Sequence, residues 1–259
     1  MKRIIFILAM SLTVTYAWAW GQKGHDTTAA IAERHLTPAT KAAVDSLLSG
    51  QSLVYWANWL DNASHTKPYA YTKTWHYKNV DADQRYEEAP ANPAGDVVTA
   101  IRQQVEILKG VQHGDKTLAL KILTHIVGDL HMPLHMGHGN DLGGNRIMVK
   151  YFGAQRNLHS VWDSALPESA HKWSYTEWAD QLDRLSPEEQ EAIVSGSVHD
   201  WAKEGIGLAD IVYKSTPAGT SMSYDEVATA APIIEQQFLY GGLRLAHLLN
   251  DIFDPEYGK

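Results

Sequence analysis

The sequence predicts an all-α protein, a single mainly helical domain, and three observations carry that expectation. Apolar residues recur at helical spacing along most of the chain, as in residues 94–108 and 116–131. Helix-start signatures punctuate it, Thr37-Pro38 and Ser186-Pro187-Glu188-Glu189 being the plainest. Only residues 146–152 (RIMVKYF) alternate well enough to read as a strand.

Taken in order, the chain opens MKRIIFILAMSLTVTYAWA. Lys2 and Arg3 make a basic start, residues 4–16 an apolar run, and Ala17-Trp18-Ala19 a small-x-small cleavage site. That pattern is a secretory signal peptide, residues 1–19, with an apolar run too short for a comfortable membrane span. Cleavage after Ala19 makes Trp20 the first residue and leaves 240 of the 259 residues. No repeat or linker divides them, so residues 20–259 are expected to form one domain, secreted or periplasmic and without stable membrane association.

Residues 25–36 have helical spacing, and Thr37 with Pro38 caps a second helix to about residue 48. The aromatic-rich 52–61 (SLVYWANWLD) reads as a buried helix, 62–73 as polar and irregular, and Trp75-His76-Tyr77 as a short extended piece. Residues 81–93 are acidic and proline-marked, a surface loop. After the helices 94–108 and 116–131, Pro133 ends or kinks the second of them. Residues 137–145 (GHGNDLGGN) are glycine-rich but lack the strand-then-helix setting of a phosphate cradle, so they read as flexible backbone near the site. Another helix starts at His159, Ser174 and Ser186 look like caps, and residues 224–253 form a long amphipathic helix with a kink near Pro232.

Composition narrows the function. Apolar residues make up 44% of the chain, enough for a sizeable core, and there is no cysteine. An exported chain of this kind is held by packing and metal in place of disulfides, and thiolate zinc sites are excluded. Lys and Arg number 22 against 30 Asp and Glu, and losing Lys2 and Arg3 takes the net charge from −8 to −10. That argues against a basic nucleic-acid groove unless bound divalent ions offset it locally.

Residues 123–141 (LTHIVGDLHMPLHMGHGND) are the centre of the chemistry. His125 and Asp129 are four apart and share a helical face, with Ile122, Ile126 and Leu130 in an apolar stripe beside it. A buried Asp beside a His is costly without a partner, and a metal cation suits both. His159 and Asp163 repeat the spacing. Asp61 closes an aromatic helix, His76 lies between Trp75 and Tyr77, and His25 follows the inferred mature start by five residues. Two His-x-x-x-Asp pairs in a thiol-free exported chain point to a multi-metal site; a single His among apolar residues would read as a hydrogen-bonded core residue.

Trp20-Gly21 with His25, Ala57-Asn58-Trp59-Leu60-Asp61, Trp75-His76-Tyr77, the run from Thr124 to His135, and Asn157-Leu158-His159-Ser160-Val161-Trp162-Asp163 together resemble the trinuclear-zinc, single-strand-specific type I nucleases of moulds and plants. The resemblance implies a mainly helical zinc phospholipase C-like fold and three Zn2+ ions. It places one zinc on Asp61, His76, His125 and Asp129, and a second on His135, His159 and Asp163. The third falls on the amine and carbonyl of Trp20 with His25 and Asp129, which then bridges two ions. It implies hydrolysis of single-stranded DNA and RNA to 5′-phosphate products, and of 3′-nucleotides to nucleosides, by a monomer. Asp61, Asp129 and Asp163 are then the catalytic carboxylates, and Tyr77 the ring that stacks on a base.

Two positions depart from that family. Its base-pocket carboxylate falls at Asn79, and a basic residue three after the first aspartate falls at Ser64, leaving Lys67, Lys73 or Arg146 to replace it. Asn145 and Asn157 are candidates for phosphate contact, with turn or cap roles as the alternative. The rival functions are a zinc phospholipase C and a non-catalytic exported zinc-binding protein. No Ser-His-Asp or Gly-x-Ser-x-Gly arrangement offers a side-chain nucleophile.

Overall fold

The computed structural model describes residues 20–259, and the signal-peptide reading of residues 1–19 lies outside them. The expected all-α architecture holds: long helices carry the core, and three very short strands lie to one side. Helix α1 (Gln22–Arg34) starts three residues earlier than the spacing predicts and brings His25 inside. Thr37 caps α2 (Pro38–Leu47) as expected, its side chain accepting the Thr40 amide at 3.2 Å. The predicted helix over 52–61 is two pieces, α3 (Leu53–Ala57) and α4 (Trp59–Ala63), broken at Asn58. Residues 62–73 are more regular than expected, since Lys67–Thr72 form a 3₁₀ turn.

Asp96 and Thr99 form a capping box that starts α5 (Val97–Lys109), and Gly110 ends it with φ +76°. Asp115 caps α6 (Lys116–Leu130) by accepting the amides of Thr117 and Leu118. From Ala119 onward α6 is almost wholly buried, so it is the central helix of the molecule. Pro133 then opens a 3₁₀ turn, Pro133–Met136, that re-aims the chain.

The single predicted strand is real but has partners. β1 (Met148–Tyr151) pairs antiparallel with β2 (Ala154–Asn157), from Met148 opposite Asn157 to Tyr151 opposite Ala154. Trp75 and His76 lie in a turn, not an extended piece; pairing begins after them, where the amides of Lys78 and Val80 reach the carbonyls of His135 and Gly137. β2 feeds directly into α7 (Leu158–Ser160), a π-helical turn Val161–Ala165, and α8 (Leu166–Ala170).

Ser174 and Ser186 cap α9 (Tyr175–Leu182) and α10 (Pro187–Val194) as expected, each in a capping box, with Glu177 and Glu189. Helix α11 (Val198–Ser215) has no counterpart in the sequence reading, although a Ser197–Asp200 capping box and buried Val198, Trp201, Ala202, Gly205, Ala209 and Val212 mark it. β3 (Ser221–Met222) adds parallel to β1. The chain closes with α12 (Tyr224–Phe253), which stays helical through Pro232.

Of three hydrophobic clusters among the described residues, the two larger ones flank the site. One lies among α1, α3, α5, α6 and α12; the other gathers Trp20, Met132, Leu134, Trp162, Trp178 and Phe238. Residues 125–135 run from the first into the second, so the candidate ligands sit at the seam. Helices α1 and α12 approach closely because Gly242 carries no side chain; a Cβ there would meet Ile31 at 2.5 Å. No helix among the described residues is long and apolar enough to cross a membrane.

A candidate metal centre

Helix α6 presents His125 and Asp129 one turn apart, both with no exposed surface. The break at Asn58 frees the Ala57 carbonyl, which accepts His125 Nδ1–H at 2.6 Å. A carbonyl can only accept, so Nδ1 carries a proton there and Nε2 is the nitrogen that faces inward. Around it lie Asp129 Oδ2 at 3.1 Å, Asp61 Oδ1 at 3.4 Å and His76 Nδ1 at 3.1 Å. Ligands of a tetrahedral zinc at about 2.0–2.2 Å stand roughly 3.3 Å from one another. These separations bracket that edge length.

Asp129 serves more than one group. Its Oδ2 is 2.9 Å from His76 Nδ1, while its Oδ1 is 3.5 Å from His25 Nε2 and 3.4 Å from His135 Nδ1. The His25 ring stacks on that of His125 at 4.0 Å. Gly128 makes room for it, because a Cβ there would meet His25 Nδ1 at 2.8 Å. Farther along, the rings of His135 and His159 lie nearly parallel, 5.2 Å apart, and His159 Nδ1–H donates to the Gly143 carbonyl at 2.7 Å. The π-helical turn brings Asp163 to them; such turns are frequent at functional sites.

Among the described residues, three sets could hold a metal ion, with ligand atoms within 4.8 Å of one another: His25, His125 and Asp129; Asp61, His76 and His125; His135, His159 and Asp163. Eight of the nine residues singled out as ligands are thus together. The ninth, Trp20, packs its ring against Phe238, and the next amide, Gly21 N–H, donates to the Asp163 carbonyl at 2.8 Å. That bond ties the start of the described chain to the element that carries Asp163.

The polar atoms here fit a cation. Both ring nitrogens of His25, Nε2 of His76, Oδ1 of Asp129, Nδ1 of His135 and Oδ1 of Asp163 are buried without a hydrogen-bond partner. Unpaired buried groups of this kind are costly, and nitrogen and oxygen donors without thiolate are a normal zinc set. Burial, and then the charges of Asp61 and Asp129, push the Asp163 carboxyl well above its usual range. Burial acts the same way on Asp129, but the facing imidazoles of His125, His76 and His135 outweigh it and hold that carboxyl well below. His131 is the contrast: burial and then Arg244 lower it to about 3, and both its nitrogens are used, on the Val127 carbonyl and Arg244. It is a structural histidine.

A cleft of about 740 Å³ opens over these groups. Tyr77 lines it, 36% exposed and so not committed to core packing, with Asn79 and Asn145. Asn145 also holds its own turn, donating to the Leu142 carbonyl at 2.8 Å. Asn157 is absent from the lining, and its side chain caps α7 by accepting the Ser160 amide at 2.7 Å. Ser64 is buried, donating to the Asp61 carbonyl. Of the three cations weighed against it, Lys73 lines the cleft, whereas Lys67 and Arg146 do not. Sequence reasoning missed Leu142, which lines the cleft half-exposed with φ +58°. A leucine in that backbone region is the signal that could have marked it only once coordinates existed.

Comparison with known proteins points the same way. The family model described as S1/P1 Nuclease matches residues 20–254. Endonuclease 3 of Arabidopsis thaliana is 30% identical over 283 residues, covering 98% of this chain and 95% of that protein. Nuclease S1 of Aspergillus oryzae is 31% identical over 235 residues, covering 86% of this chain and 78% of its own. Nuclease P1 of Penicillium citrinum is 26% identical over 276 residues, covering 93% of this chain and all of its own length.

Proposed function

Since the chain belongs to the S1/P1 nuclease family, we propose that it cuts single-stranded DNA and RNA by hydrolysis at a cluster of three zinc ions. The observation that carries this is the convergence of three His/Asp sets on one buried carboxylate, Asp129, beneath an open cleft. Asp61, His76, His125 and Asp129 would hold one ion, His135, His159 and Asp163 a second, and His25, Asp129 and the backbone of Trp20 a third. Bound zinc supplies positive charge for the oxygens of a phosphodiester in transit, and the acidity that makes water a nucleophile near neutral pH. The protein's own groups do the rest. Carbonyls of Ala57 and Gly143 fix the His125 and His159 rings, and Asp129 spaces the sets. Lys73, exposed at the cleft and with no ion pair among the described residues, meets a phosphate oxygen in place of the missing cation at Ser64. Products with 5′-phosphates and a 3′-nucleotidase activity follow from the same family reading.

Selectivity for unpaired strands rests on Tyr77. Its ring can cover a base only when no partner strand hides the face, and such stacking is worth about 1–3 kcal/mol per base. Tyr77→Ala is expected to raise KM for single strands about 5- to 150-fold by that energy, with zinc content unchanged. The parent experiment offers denatured DNA, duplex DNA and phosphatidylcholine, each with and without chelator. Rapid cutting of denatured DNA alone, abolished by chelator, is expected. Hydrolysis of phosphatidylcholine without DNA cleavage would make it a phospholipase, and tight zinc without either activity a binding protein.

Residues 1–19 are proposed to be removed on export, which frees the Trp20 amine. A free α-amine has a pKa near 8, so zinc can displace its proton; an amide nitrogen is a poor ligand. Protein beginning at Trp20 should therefore hold one more zinc, and turn over faster, than protein with one extra methionine before it. Equal zinc content and equal rates would remove the amine from the ligand set.

A further inference from the structure

Tyr213, on α11, lies outside every ligand set, yet it grips the loop that orients one of them. Its hydroxyl donates to Asp141 Oδ1 at 2.9 Å and accepts the His138 amide at 3.0 Å. Its ring lies flat on that of His138, 3.9 Å away at 6°. Asp141 Oδ1 also accepts the Gly144 amide at 2.6 Å, and Gly143 N–H closes the loop on the His138 carbonyl at 2.8 Å. Between those two anchored amides sits the Gly143 carbonyl, the acceptor that fixes His159. The approach is built into the backbone, since a Cβ on Gly137 would meet the Tyr213 hydroxyl at 2.7 Å. Burial, and the Asp141 carboxylate with it, push the hydroxyl's pKa upward, so its proton stays in place to be donated.

We propose that Tyr213 is a positioning residue for the metal group of His135, His159 and Asp163, acting through Asp141, the 137–145 loop and the Gly143 carbonyl. This rests on the metal-site reading above. Tyr213→Phe keeps the ring on His138 and removes only the hydroxyl. Without it Asp141 loses one of its two fixed donors and the Gly143 carbonyl loses its fixed aim, so His159 Nε2 is held in direction less firmly. Outer partners of metal ligands change affinity by about 10- to 100-fold when mutated, and a residue one link farther out belongs at the low end.

Zinc-loaded wild type and Tyr213→Phe would be challenged with a chelator, and released zinc counted against time. Tyr257→Phe, which removes a hydroxyl facing His247, is the control. One equivalent should leave Tyr213→Phe about tenfold faster, with the other equivalents and the control at wild-type rates. Release of every equivalent at the wild-type rate overturns the proposal. Release of all of them faster overturns it too, because that is general loosening and not aim at one group. A wild-type protein that retains no zinc overturns the metal reading itself and this proposal with it.

Discussion

Asp129→Asn is expected to lose at least two zinc ions per chain and to lower turnover on single-stranded DNA about a thousandfold or more, since it removes charge from the whole cluster. The geometry sets the ranking. One oxygen of Asp129 faces His76 and His125, and the other faces His25 and His135. An amide keeps the shape but offers one weak, uncharged acceptor oxygen and a donor nitrogen, which repels a cation. Asp163 belongs to one group, so Asp163→Asn should lose about one ion and its share of activity, and keep the rest. Elemental analysis beside turnover reads both. Full zinc and full turnover in Asp129→Asn would reject the shared carboxylate. Equal losses in the two variants would reject the division into separate groups.

How much of this was legible in the sequence depended on whether each feature is local. His125 and Asp129 could be placed on one face because the period of a helix is fixed, and the apolar stripe at Ile122, Ile126 and Leu130 showed which way that face turned. The caps at Ser174 and Ser186 are local too, each read within four residues of sequence. The break at Asn58 was not, because SLVYWANWLD has helical spacing throughout. Its reason is tertiary: ending α3 at Ala57 leaves that carbonyl without a helical partner, and His125 takes it. The π-helical turn hides in the same way. His159 and Asp163 read as an ordinary i, i+4 pair, and the wider turn that brings Asp163 to His135 has no local code.

α11 went unread for a different reason. Its apolar positions include glycine and alanine, so the stripe is faint, and only the Ser197–Asp200 box announces it. The cost of missing it was the Tyr213 anchor, whose partners are 72 and 75 residues away. β2 and β3 are too short, and β2 too polar, to show a period. The substrate side was the least legible part. Asn145 and Asn157 looked alike in sequence, yet one lines the cleft and the other caps a helix. An asparagine satisfies either role with the same carboxamide, so only its neighbours in space separate them.

Removing the metal should lower stability as much as activity. With no cysteine in the chain, no disulfide shares the task of joining α1, α6 and the 158–166 segment, whose side chains meet at the ligand sets. A ligand present at 1,000 times its Kd stabilises the folded state by about 4 kcal/mol per site. In a chain of this size each kcal/mol moves the melting temperature by about 2–4 °C. Emptying even one such site is therefore expected to lower it by roughly 8–16 °C. The metal-free protein keeps the same buried atoms, with Asp163 driven toward its protonated form and neither ring nitrogen of His25 hydrogen-bonded. Thermal melts with chelator, without it, and after zinc is returned would measure the shift. Zinc should restore the melting temperature and magnesium should not, since magnesium prefers six oxygen ligands and these sets offer mostly imidazole nitrogen. An unchanged melting temperature after complete removal of zinc would mean that the His/Asp sets are held by packing alone, and that metal joins a site already rigid without it.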